Sequence, residues 1–239
     1  MTGSLISPAL RARVRGLAIP IATTLGRLGL TPNALTLIGF AGTCLAALAA
    51  TAQLWLAAGI LVLVFGIFDL FDGTLARATG RATRYGAFLD STFDRAGEAL
   101  VYVGLAAGFV AVDFPLGAVV AAAAMAAAFL VSYVRAKAES LGFAQGSAMI
   151  GVGLAPREIR VAILVLGLLA AGLIPTPPQI ECFTTPCPQP IGDGPIALAA
   201  ALGLITVLAG ATVIQRILHV AKVARAEDRH AEPGRAKEG

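Results

Sequence analysis

Charge is scarce in this chain. Only 13% of its 239 residues are Asp, Glu, Lys or Arg, against roughly a quarter in soluble globular domains, and that shortage excludes a soluble globular domain. Histidine and cysteine are scarce too, at two and three residues. His219 and His230 read as solvated, and Cys44 reads as a small packing residue inside an apolar run. No zinc site of Cys and His ligands is therefore expected beside the acidic residues. No Ser-His-Asp arrangement is visible to support an acyl intermediate. Aromatics make up 6%, and no basic face interleaves with them, so no nucleic-acid partner is expected.

Long apolar runs fill the space that charge leaves. Hydrophobic residues are 57% of the chain, and six runs have the roughly 17–25 residues that cross a bilayer. They are 33–52, 54–76, 85–108, 115–138, 158–174 and 195–217. The first is not expected to be a cleaved signal peptide, since an arginine-bearing segment precedes it and no small-residue cleavage site follows. The predicted fold class is an all-α integral membrane protein, a six-transmembrane-helix bundle. Before it, residues 5–28 repeat apolar side chains at helical spacing between Arg11, Arg13, Arg15 and Arg27, which predicts an amphipathic helix lying in the interface. Three parts follow: a cytoplasmic interfacial segment at 1–32, a membrane domain at 33–217 and a charged cytoplasmic tail at 218–239, helical at first.

Six spans place all 18 Lys and Arg on one side. The other side holds Asp113, Glu181 and Asp193 as its charged residues. By the positive-inside rule this predicts a multi-pass protein of the cell membrane with both termini in the cytoplasm. The net charge of +4 is then topology and attraction to anionic lipid. Cys182 and Cys187 fall in the proline-rich outer loop, where an oxidising exterior would allow a disulfide.

Against this background four carboxylates stand out. Asp69 and Asp72 are i, i+3, and Asp90 and Asp94 are i, i+4, so each pair shares a helix face. Two helices joined by a short turn would aim all four at one pocket, where the chain is otherwise apolar. Each such carboxylate costs several kcal/mol at membrane depth, roughly 2.5–3.5 on insertion scales, unless a cation meets it. An oxygen-only ligand set favours a hard cation, Mg²⁺ or Mn²⁺. Capping and salt bridges to Arg77, Arg81, Arg84 and Arg95 would be the plainer use of the same aspartates. Arg77 is placed to meet a phosphate near the membrane surface. Gly73 and Gly86 withdraw side chains where a ligand or helix must come close. A carboxylate that keeps a free oxygen can take the proton of an attacking hydroxyl.

The spacing D-x2-D-G-x2-A-R-x8-G-x3-D-x3-D runs over Asp69, Asp72, Gly73, Ala76, Arg77, Gly86, Asp90 and Asp94. It resembles the signature of the CDP-alcohol phosphotransferase (CDP-alcohol phosphatidyltransferase) family at every defined position. The stretch Leu30-Thr31-Pro32-Asn33-Ala34-Leu35-Thr36 is similar to the family's opening element. Ser132 to Glu139 is similar to a helix end of its phosphatidylinositol-phosphate synthase branch. The resemblance implies a six-helix membrane bundle, commonly a homodimer. It also implies transfer of a phosphatidyl group from CDP-diacylglycerol to an alcohol, with CMP leaving and two Mg²⁺ per site, for which Mn²⁺ substitutes. Carried over by position, Asp69 and Asp90 would bridge both cations and Asp72 would complete the first site. Asp94 would complete the second and act as the catalytic base. Gly73, Arg77, Thr83, Pro32 and Asn33 would contact the CDP-lipid.

Arg135 and Lys137 end the fourth span while Arg157 and Arg160 open the fifth. Four cations at one end point to a phosphorylated acceptor, although simple anchoring by the positive-inside rule would also place them there. The resemblance at Ser132–Glu139 favours inositol 1-phosphate. Pro156 to Arg160 departs from the arginine-rich form of that branch, which keeps glycerol 3-phosphate, and hence a phosphatidylglycerophosphate synthase, open. A membrane cation transporter is the reading from another class. It requires carboxylates spread through several spans near the midplane, whereas here the four cluster at one face and no other span carries a carboxylate near its middle.

Overall fold

The computed structural model describes residues 19–143, 152–175 and 190–235. Among these the chain is helical, with no strand. A short helix, α1, covers residues 19–27. Six longer ones follow: α2 (Pro32–Thr51), α3 (Trp55–Ala78), α4 (Arg84–Ala111), α5 (Pro115–Ser140), α6 (Arg157–Leu173) and α7 (Asp193–Arg235). Four of them are long and apolar enough to cross a membrane: α2, α3, α5 and Asp193–Ala226 of α7. α6 has only 17 residues, and α4 carries Asp90, Asp94, Arg95 and Glu98 up to its middle. The pair Cys182 and Cys187, and most of the segment 5–28, lie outside the described residues.

Local chemistry sets the helix ends that matter. Thr31 caps α2, its hydroxyl accepting from the Ala34 amide, and Pro32 follows in the first turn, where its fixed φ and missing N–H suit a helix start. Thr83 caps α4 in the same way, accepting from the Gly86 amide at 2.9 Å. Between α3 and α4 the chain reverses in five residues. Gly80 takes φ +65, the left-handed conformation that costs glycine nothing, while the Arg81 amide donates back to the Ala76 carbonyl. The two aspartate-bearing helices are thus joined by a tight turn, as their spacing requires.

Each long helix packs mainly on two others. α2 lies against α3 and α4, α4 against α5, α5 against α7, α7 against α6, and α6 against α3. This closes a ring in the order α2, α4, α5, α7, α6, α3. Small residues let the backbones approach. A Cβ on Gly104 would stand 2.3 Å from the Ala47 carbonyl oxygen, and one on Gly108 would stand 2.4 Å from that of Ala50. Inside the ring lie the alanines Ala121, Ala124 and Ala128 of α5, with Tyr102, Leu105, Phe109, Leu164, Leu168, Leu198 and Leu202. Outside, large apolar side chains such as Leu48, Val103, Val119, Leu166 and Val207 are exposed. An apolar exterior, with small residues where helix backbones come closest, is what a lipid solvent favours. Gly104→Val is expected to force α2 and α4 apart and lower the melting temperature in detergent. Overpacking of this kind typically costs about 1–3 kcal/mol. A variant melting with the wild type would show that α4 does not pack this way.

Candidate active site

α3 and α4 both lean on α2, so the C-terminal half of α3 and the N-terminal half of α4 face each other. That arrangement brings the four aspartates to one end of the ring. Asp72 is 3% exposed, and its Oδ2 accepts from the Thr36 hydroxyl of α2 at 2.6 Å. Its Oδ1 accepts from the Gly73 amide. Asp90 lies within electrostatic reach of Asp69, Asp72, Arg95 and Arg157. Gly39 of α2 makes room for Asp69: a Cβ there would be 3.2 Å from Asp69 Oδ1.

Arg157, the first residue of α6, joins the two acidic helices. Its Nη2 donates to Asp69 Oδ2 at 2.9 Å, and its Nη1 pairs with Asp94 Oδ2 at 2.7 Å. Its Nε is buried and has no hydrogen-bond partner. A cation therefore already bridges Asp69 and Asp94. Among the described residues no three His, Cys, Asp or Glu side chains are gathered to hold a metal ion as they stand. The donors nonetheless fit a hard divalent cation, being carboxylates without nitrogen or sulfur ligands beside them. A cleft below them is lined by Thr36, Phe40, Gly66, Phe93, Gly97 and Arg157, among others.

The remaining residues singled out from the sequence fall into two groups. Asn33, Thr83 and Gly86 meet where the starts of α2 and α4 come together: a Cβ on Gly86 would be 3.1 Å from Thr83 Oγ1 and 3.3 Å from Asn33 Oδ1, while Pro32 lines a separate small pocket with Leu75 and Arg81. Gly86 is thus needed for helix approach. Gly73 is different, because a Cβ there would only reach ordinary contact with the exposed Arg77 guanidinium, at 3.4 Å. The cations expected at an acceptor do not act as one group. Arg157 bonds the aspartates. Arg135 pairs with Glu139 one turn on, at 2.8 Å and with both side chains partly exposed, and Lys137 is exposed. Arg160 points inward, 1% exposed, and donates from Nε and Nη2 to the two carboxylate oxygens of Glu98 at 3.0 and 2.9 Å.

Glu98 is a further carboxylate, near the middle of α4, the helix that already bears Asp90 and Asp94. It continues the i, i+4 row of Asp90 and Asp94, a signal that was present in the sequence. It is paired with Arg160, so it extends no ion path through several helices. Thr36 and Arg216 were also missed. Thr36 sits one turn into α2 and is legible only once α2 is known to touch Asp72. Arg216 is buried in α7 and donates to the Val131 and Val152 carbonyls at 2.6 and 3.1 Å, which no spacing within one helix announces.

A family model described as CDP-alcohol phosphatidyltransferase matches residues 29–224, from just before α2 to well into α7. The chain belongs to the CDP-alcohol phosphatidyltransferase family. It is a membrane transferase, and the aspartate cluster at the end of the ring is the part of it that bears the family's motif. The phosphatidylinositol phosphate synthase of Cutibacterium acnes is 36% identical over 203 residues, 84% of this chain and 90% of that one. The archaetidylinositol phosphate synthase of Pyrococcus horikoshii is 38% identical over 161 residues, 67% of this chain and 80% of that one. A crystal structure of the Mycobacterium tuberculosis phosphatidylinositol phosphate synthase, in complex with manganese and citrate, is 29% identical. It superposes with a TM-score of 0.68 over 85% of this chain and 88% of that one. A second crystal structure of that protein, with CDP-DAG bound, gives 0.67 over 85% and 92% at the same identity.

Proposed function

We propose that this transferase moves a phosphatidyl group from CDP-diacylglycerol to a hydroxyl of inositol 1-phosphate, releasing CMP and forming phosphatidylinositol phosphate. The observation that carries this reading is the meeting of four carboxylates with an arginine, Arg157, whose Nε is buried and left without a partner. A divalent cation pair and an acceptor anion are the chemistry that such a meeting serves. The similar proteins named above differ in the lipid of their names and agree on inositol phosphate, which supports the choice of acceptor over glycerol 3-phosphate.

Asp69, Asp72, Asp90 and Asp94 would hold two Mg²⁺, with Mn²⁺ able to substitute. When bound, such ions neutralise pyrophosphate oxygens and stabilise the departing phosphate. Thr36 and the Gly73 amide orient Asp72. Gly73, Arg77, Thr83, Pro32 and Asn33 would contact the CDP moiety, with Arg77 available to a phosphate oxygen. Asp94 takes the proton from the acceptor hydroxyl as its oxygen bonds to the lipid-linked phosphorus. The bond from that phosphorus to the CMP oxygen breaks, and CMP departs with the electron pair. Arg157, with Arg135 and Lys137 on α5, presents positive charge to the acceptor's phosphate. We read all six long helices as spans of the cell membrane, with both termini and the site on the cytoplasmic side and a homodimer as the assembly.

Radiolabelled CDP-diacylglycerol presented with a panel of acceptors tests the reading: inositol 1-phosphate should be used, and glycerol 3-phosphate and free inositol poorly. Preferred use of glycerol 3-phosphate would turn the assignment to phosphatidylglycerophosphate synthesis. Activity should vanish in chelator and return with Mg²⁺ or Mn²⁺. Full activity after exhaustive chelation, or rescue by Zn²⁺ alone, would remove the two-cation site.

A further inference from the structure

α4 and α6 stand across the ring from each other, yet two ion pairs connect them. One is Asp94 with Arg157. The other, one helical turn deeper, is Glu98 with Arg160, whose side chains are only 7% and 2% exposed. Arg160 also reaches back with Nη1 to the Ala155 carbonyl, 3.1 Å away, in the loop just before α6. That loop is held from its other side by α7. Thr212 Oγ1 accepts from the Leu154 and Ala155 amides at 3.0 and 2.9 Å, and Arg216 Nε donates to the Val152 carbonyl. Gly153 has φ +128, and a Cβ on it would stand 2.3 Å from Thr212 Cγ2, so the loop can take this path only with glycine there. Four successive residues before Pro156 are thus held by side chains of α6 and α7 or by contact with them. The next residue after Pro156 is Arg157.

We infer that Glu98 and Arg160 are positioning residues: through the Ala155 carbonyl and the start of α6 they hold Arg157 against Asp69 and Asp94, ready for the acceptor's phosphate. A bidentate carboxylate–guanidinium pair fixes direction as well as distance, and since a buried pair adds little net stability, placement is the use we assign to this one. Where two helices are joined across a gap by side chains, those side chains set the register of one against the other. A shift of about 1 Å at a positioned charge is enough to lose most of its effect. Arg160 thus supports the acceptor site without lining it. The inference rests on the functional reading above only in taking Arg157 as a ligand of the acceptor.

The test is a double substitution, Glu98→Met with Arg160→Met, which replaces the ion pair by apolar side chains of similar length and leaves no buried charge unpaired. The expected result is a folded enzyme whose acceptor KM rises tenfold or more while the CDP-diacylglycerol KM stays within about twofold. The same pair of substitutions made in an Arg157→Gln background should add no further rise, because the effect passes through Arg157. An unchanged acceptor KM in the folded double variant, or rises that multiply in the Arg157→Gln background, would overturn the inference. Should the double variant fail to fold, Thr212→Val decides alone: it frees the same loop, and a selective rise supports the inference while an unchanged acceptor KM overturns it. KM is measured for inositol 1-phosphate and for glycerol 3-phosphate, so a wrong acceptor identity appears already in the wild type, as preference for glycerol 3-phosphate. It leaves the comparison of variants intact.

Discussion

Asp94→Asn is expected to reduce transfer by about 10²–10⁴-fold, the usual loss when a general base is removed, with CDP-diacylglycerol binding largely retained. The amide keeps the shape of the side chain and can still lie beside Arg157, but it cannot take the proton of the acceptor hydroxyl. Asp94 is the aspartate best placed for the task. It sits deepest in the row Asp90, Asp94 on α4, it lines the cleft together with Phe93 and Gly97, and it faces Arg157, the candidate ligand of the acceptor. The proposed base and the proposed anchor of the acceptor's phosphate are thus neighbours, 2.7 Å apart, as a small phosphorylated alcohol would require. Single-turnover measurements on the purified variant, with donor binding followed separately, give the two quantities. Near-normal turnover would take the base role away from Asp94. Loss of donor binding in parallel with turnover would instead make Asp94 chiefly a cation ligand.

Arg157→Gln is expected to act in two opposite directions. The acceptor KM should rise about ten- to hundredfold, the equivalent of roughly 1.5–3 kcal/mol for a charge-assisted contact to phosphate. The CDP-diacylglycerol KM should barely move. At the same time Mn²⁺ should bind more tightly, by about tenfold, followed by electron paramagnetic resonance of the free ion in the absence of any substrate. The guanidinium engages Asp69 Oδ2 and Asp94 Oδ2, on two of the aspartates proposed to hold the cations, and its removal would relieve both competition and like-charge repulsion. If Arg157 merely anchors the helix at the membrane surface, stability and insertion would change and neither constant would move. A raised acceptor KM with unchanged Mn²⁺ affinity would retain the acceptor role and discard the competition. Arg135→Gln, whose side chain is partly exposed and paired with Glu139, should raise the acceptor KM less than Arg157→Gln does.

Much of this was legible in the residues alone. Apolar runs of bilayer length, broken by Pro32, Gln53, Asp113 and Pro115, delimit helices because a chain in lipid has no other way to satisfy its backbone. The spacing of Asp69, Asp72, Asp90 and Asp94, with Gly80 between the pairs, already puts four carboxylates on two facing helix ends. Those are short-range properties, fixed by helical periodicity and by the turn that glycine permits. What periodicity cannot supply is which helix stands opposite which. Arg157 and Arg160 are three residues apart in one sequence motif and looked equivalent as acceptor ligands. The ring order separates them: Arg157 sits at the mouth between Asp69 and Asp94, and Arg160 lies one turn deeper, where Glu98 needs a buried partner. Thr36 gained its role because α2 lies between the two acidic helices, and Thr212 because α7 passes behind the loop that begins α6. The sequence by itself determined the membrane class, the helices and the carboxylate cluster, since these depend on local spacing and on the cost of charge in an apolar medium. Only the tertiary structure decided which cation meets which carboxylate, because pairing across a ring depends on burial and helix order, and neither is written in the spacing along one helix.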